Sequence, residues 1–154
     1  MSARPRHNLP SRRFERGAAA VEFALVATVG GLLLVLFGTL ELGRYMFTLN
    51  TATEATRLGA RIAVVCNADD VQIKTRMAAM LPLLKPETIA VTYQPAGCAG
   101  SAEDARNTCA SVTVAIQPGV RFNSVIPLVP INLDLPAFAT TLPREAMDST
   151  FCRN

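Results

Sequence analysis

The residues best suited to covalent chemistry in this sequence are four cysteines, Cys66, Cys98, Cys109 and Cys152. Their spacings are long and include no C-x-x-C, so neither a zinc knuckle nor a thioredoxin-like redox pair is indicated. An even number, all downstream of a long apolar run, reads as two disulfides in an oxidising compartment, with buried free thiols as the plainer alternative. Catalytic sets are harder to assemble. The only histidine, His7, precedes the apolar run, which leaves the body without an imidazole base or ligand. Asp69-Asp70, Glu103-Asp104 and Ser111 have no evident base partner, and paired acids at turns are ordinarily helix caps. The sequence thus offers no catalytic residues, no metal ligands and no cofactor site, and the expectation is a protein that is not an enzyme and takes no small-molecule substrate.

The chain has 154 residues, half of them hydrophobic and 18% charged, with a formal net charge of +3. That charge is unevenly placed. Residues 1–17 hold Arg4, Arg6, Arg12, Arg13 and Arg16 against Glu15 alone. Ten basic and eleven acidic residues remain after them, a net charge of −1. The cations belong to a leader rather than to a folded face, which argues against nucleic acid as a partner.

From Phe23 to Leu40 run 18 residues without a charge, bounded by Glu22 and Glu41. As a helix they cover about 27 Å, close to the ~30 Å hydrocarbon core of a bilayer. Arg12, Arg13 and Arg16 on the N-terminal side predict a cytoplasmic N-terminus and an exported body, hence a single-pass membrane protein. A removable secretory signal needs a small-residue cleavage site after its apolar core, and "TLELGRYMFTLN" supplies none. The small residues Gly17 to Ala20 come before the core instead. A cut there would leave the apolar helix on the product.

Beyond Glu41, the residues Leu42, Met46, Leu49, Ala52, Ala55, Leu58, Ile62 and Val65 recur at spacings of three and four, predicting one helix over about 19–65 with an amphipathic second half. "NADD" supplies a stop and a new N-cap, and "DVQIKTRMAAML" reads as a short helix ended by Pro82. The period then changes to two. "ETIAVTYQ" puts Ile89, Val91 and Tyr93 on one face, and "ASVTVAIQ" does the same for Val112, Val114 and Ile116. These predict adjacent antiparallel strands joined by the small-residue loop "PAGCAGSAEDARNTC". The first pairing is then Cys98 with Cys109 and Cys66 with Cys152, though four cysteines allow three pairings. "VPINLDLPAFATTL" predicts a further strand, which Pro130, Pro136 and Pro143 restrict to an edge or to breaks. The fold class is α+β, a long N-terminal transmembrane helix packed on a small antiparallel sheet domain with disulfides.

The stretch "RGAAAVEFALV" resembles the cleavage site of type IV pilin-like proteins, and specifically of the TadE-like minor pilins (pseudopilins) of tight-adherence (Tad, Flp-type) pili. Gly17 stands before the implied cut and Ala18 after it, with Glu22 as fifth residue of the product and Phe23 beside it. "ELGR" at 41–44 and "ATRLGARIAV" at 55–64 also look TadE-like. The resemblance implies a basic cytoplasmic leader over 1–17, removed by a prepilin peptidase, and an assembly helix over 18–40. A helix extension at 41–66 and a small head at 67–154 would lie in the periplasm of a bacterial inner membrane, then on the pilus surface. It further implies partnership with other Tad pilins and assembly-platform proteins, and pilus priming, capping or adhesion as the head's task. Glu22 could pair with its own helix N-terminus or with the Ala18 ammonium of a neighbouring copy, and the second pairing would make it a registry device; the plainer alternative leaves it solvated at headgroup depth. A competing reading is a single-pass membrane protein that never polymerises and whose exported domain binds a partner. That reading needs neither Gly17 nor Glu22.

Overall fold

The computed structural model describes residues 12–126 and 132–152, with side chains described for 17–126, 132–150 and 152. The chain divides into two compact units between Leu40 and Glu41, and one helix, α1 (Arg12–Val65), contributes to both. No proline falls between residues 12 and 65, and alanine and leucine dominate, so nothing in the sequence breaks the helix. It starts before the expected residue 19 because Arg12 to Arg16 contain no breaker either.

In the second unit α1 is followed by α2 (Val71–Met80), β1 (Ile89–Gln94), α3 (Ala102–Thr108), β2 (Ser111–Ile116), β3 (Arg121–Asn123), β4 (Asn132–Asp134) and β5 (Ala139–Pro143). α2 begins where the Asp70 carboxylate accepts the Gln72 amide at 2.9 Å, the cap expected from "NADD". β1 and β2 are antiparallel, with Ile89 opposite Ile116, Val91 opposite Val114 and Tyr93 opposite Val112. The two alternating faces therefore meet as the sequence predicts. β5 lies on the other side of β2, an edge position that tolerates Pro143 at its end.

Three expectations are corrected. The tail does not form one strand: β4 pairs with β3 in a separate two-stranded sheet, and Pro136 sits in the break before β5. Pro130 lies outside the described residues. The connection from β1 to β2 is not a plain loop but carries α3. Ser101 opens it by accepting the Asp104 amide at 3.0 Å, a Ser-x-x-Asp cap that was present in the sequence. Finally, the buried face of α1 is built from small residues. Ala52, Ala55, Thr56, Gly59, Ala60 and Ala63 are buried, whereas Leu42 and Met46, placed on that face by their spacing, are exposed.

The small face lies against Val112, Val114 and Ile116 of β2 and Ile73 and Met77 of α2, and all belong to one core. Gly59 is where approach is closest. A Cβ there would collide with the Met77 sulfur and lie 3.1 Å from Val114 Cγ1. The carbonyls of Val64 and Val65 at the end of α1 accept amides from Glu145, Met147 and Asp148, which satisfies part of a helix end that would otherwise be orphaned. The Cys66–Cys152 bridge fixes the same segment, with Cα atoms 5.8 Å apart. Cys98 and Cys109 form the second bridge across α3, at 5.1 Å.

Four variants test the packing and its cross-links, all read from denaturant unfolding of the detergent-solubilised chain by the near-ultraviolet signal of Tyr45 and Tyr93. Gly59→Ala is expected to destabilise the head by about 1–3 kcal/mol through overpacking. Gly43→Ala, whose added Cβ meets nothing within 4 Å, should be neutral or stabilise by up to about 1 kcal/mol. Serine in place of Cys66 and Cys152, which lie 86 residues apart, is expected to cost about 4–5 kcal/mol by loop entropy. Serine in place of Cys98 and Cys109, 11 apart, should cost about 3 kcal/mol. Equal losses would mean that loop entropy does not set the order.

Candidate processing and assembly site

Between Gly17 and Leu36 every side chain of α1 is exposed. Phe23 is 76% accessible and Leu32 68%, although both are large and apolar. The helix is long and apolar enough to cross a membrane. Such a surface is stable only under a cover of lipid or of other apolar helices.

Gly17, Ala18, Glu22 and Phe23 all lie on this helix. Ala18 and Glu22 are four residues apart and share a face. Glu22 is the one ionisable group between Gly17 and Leu40, and among the described residues nothing pairs with it. Because α1 already begins at Arg12, the amides around Glu22 are committed to the helix ladder. The expected help from a nearby helix N-terminus is therefore absent in the uncut chain. A Cβ at Gly17 would meet nothing within 4 Å among the described residues, so their packing does not require glycine there. The side chains of Arg12, Arg13 and Arg16 lie outside the described residues, as does the leader before residue 12.

Sequence reasoning missed the part played by Glu41, which it read as the end of the apolar run and the first residue of the TadE-like "ELGR". Its side chain is buried, with both carboxylate oxygens 2.8 Å from Arg44 Nη1. Oε1 also accepts the Val125 amide at 3.0 Å and the Ile126 amide at 3.3 Å. The Arg44 guanidinium stands 5.2 Å from the centre of the Phe122 ring, which meets Tyr45 edge-on at 5.4 Å. One carboxylate thus ties α1 to the segment that follows β3. An acid closing an apolar run, with arginine one helical turn later, was the available signal.

Other polar groups in the head are structural. Burial raises the Tyr93 hydroxyl above its ordinary pKa, as do the charges of Asp69 and Asp70, against a hydrogen bond from the Asp69 amide. Asp148 is held below the usual carboxylate value, first by the Thr150 amide and hydroxyl and then by Arg106. A cleft of 320 Å³ beside the Cys66–Cys152 bridge is lined by Leu58, Arg61, Ile62, Val65, Gln72 and Arg76 as well as the bridge. Among the described residues no cluster of three potential metal ligands occurs.

The exposed apolar helix, its single carboxylate and the Glu41–Arg44 pair all fall inside residues 17–61, which match the model of the TadE-like protein family. Over that stretch the chain is similar to TadE-like proteins. Neither a curated protein nor a solved structure matches it. The TadE-like match begins at the glycine before the implied cut and ends within the small-residue face of α1. It associates the chain with Tad pili, whose TadE-like members are structural components rather than known enzymes, and together with the apolar helix it fits a membrane-anchored protein.

Glu41→Ala removes the acceptor of the Val125 and Ile126 amides. Hydrogen exchange at those two amides is expected to quicken by about tenfold or more while the β2 amides keep their protection. Unchanged exchange at 125 and 126 would show that Glu41 does not hold this segment.

Proposed function

We infer that the chain is a minor pilin, or pseudopilin, of a Tad-type pilus. A prepilin peptidase cuts it after Gly17, and it assembles with other Tad pilins and platform proteins through residues 18–40. The observation that carries this reading is the coincidence at residue 17. The TadE-like match starts at Gly17, and among the described residues no packing contact calls for glycine there.

The chemistry of the cut supports it. Cleavage removes five arginines and creates an ammonium at Ala18, one helical turn before Glu22. It also turns a helix interior into a helix N-terminus, exposing amides and the positive end of the dipole beside that carboxylate. A carboxylate at the edge of an apolar run costs a few kcal/mol unless paired. In the uncut chain Glu22 lacks these partners, and in the cut chain it gains them, from its own terminus or from the Ala18 ammonium of a neighbour. Processing thereby switches on the group that sets the stagger between helices. Gly30 and Gly31, whose added Cβ atoms would meet nothing within 4 Å, suit close approach by a second helix. The N-terminus would lie in the cytoplasm and the head, over 67–154, in the periplasm and then on the pilus, where it primes, caps or adheres.

The test is the N-terminal residue of the membrane-extracted protein in cells with and without the prepilin peptidase. Ala18 is expected with the enzyme and the uncut leader without it, and Gly17→Ala should abolish the cut. Glu22→Gln should leave cutting and membrane level intact while removing the protein from sheared pili. An uncut chain in both strains would instead favour an anchor that never polymerises.

A further inference from the structure

Glu41 follows the last residue of the apolar run, so its carboxylate marks the level at which α1 leaves hydrocarbon. Residues 41–47 rise about 10 Å along the helix, roughly the depth of one headgroup layer. The side chains around that level are apolar and uncovered. Val125 is 74% exposed, Phe47 72%, Leu42 54% and Met46 49%. Val125 belongs with the other three because its amide is bonded to the Glu41 carboxylate at 3.0 Å. Leu133 adds to them, since it pairs with Phe122, the ring beneath Arg44.

We propose that this cluster is a lipid-contact surface, with Val125 held against the bilayer interface as a second point of attachment for the head. Three features select lipid as the occupant. The patch is continuous in sequence with a segment that is already apolar on every side. Tyr45 and Arg44 stand at the same level, an amphipathic ring and a long cation of the kinds favoured at the membrane boundary. Of the acids at that level, Glu41 is buried and bound by Arg44 and two amides, and Asp134, exposed beside Leu133, is paired with Arg121, so neither carboxylate meets the patch unpaired. The Glu41 tie then has a purpose beyond stability: it pins Val125 and Ile126 to the depth at which their side chains meet lipid. The surface rests on membrane anchoring alone and not on cutting at Gly17.

The chain has no tryptophan, so single-tryptophan variants of the full-length protein report one place each. In vesicles of phosphatidylcholine and phosphatidylglycerol with brominated acyl chains, Leu33→Trp establishes insertion and sets full quenching. In those same preparations Val125→Trp is expected to be blue-shifted and quenched. Val71→Trp, equally open in the structure at 70% but beyond the far end of α1, should be red-shifted and unquenched. The proposal is overturned if Val125→Trp behaves like Val71→Trp. It is equally overturned if Val125→Trp is blue-shifted without quenching by brominated lipid, which would mean that protein, a second copy for instance, covers the patch. Because the uncut chain is used, either result leaves the processing reading to its own test.

Discussion

Ala52, Ala55, Thr56, Gly59, Ala60 and Ala63 let β2 and α2 come closer to the backbone of α1 than leucines at those positions would. The closeness has a consequence. Small side chains bury little apolar area each, so the partners must supply the large groups, and they do: Val112, Val114, Ile116, Ile73 and Met77 fill the space. A core with one thin wall is modest for its size, and cross-links contribute more to such a body than to a large domain. The bridge from Cys66 to Cys152 fastens the chain end to the end of the helix on which the sheet is laid. The amides of Glu145, Met147 and Asp148 on the Val64 and Val65 carbonyls act at the same place. Helix, sheet and tail are therefore interdependent: loosening the tail opens the end of the helix that the sheet rests on.

The same helix meets two different demands along its length. Over 23–40 it is apolar on every side and none of its side chains is buried, while over 52–64 only one face is buried and the rest carries Glu54, Arg57 and Arg61. A helix satisfies both because backbone hydrogen bonding is internal and indifferent to what surrounds it. The change of environment is carried by side chains alone, and Glu41 stands at the change.

Patterns of types and spacing made most of the architecture legible. Alternation set β1 against β2, the turn acids gave α2 its cap, and the strand reading paired the cysteines as the structure does. The face of α1 was misread for a physical reason. Spacing alone weighs large apolar residues most heavily, yet Leu42 and Met46 are exposed, and on the proposed lipid contact they would face the bilayer rather than the head. Burial in the head favours alanine and glycine, which carry a weak periodic signal. The tail was misread because β3 and β4 are only three residues each, too short for alternation to register. The helix start was misplaced because the arginines look like a solvated leader, while their helix propensity is high.

The role of Glu41 was invisible for a deeper reason. Its partners across the fold are the amides of Val125 and Ile126, and any residue except proline supplies an amide. A contact between two side chains leaves complementary marks at both positions. A contact from side chain to backbone marks only one, and here that one also looked like the ordinary boundary of a membrane segment. The family match is consistent with this asymmetry, since it includes Glu41 and Arg44 and stops before the segment they hold. The helix and its anchoring acid can therefore be specified by a short stretch of sequence, while the segment they grip is free to take any composition that places two amides within reach of one carboxylate.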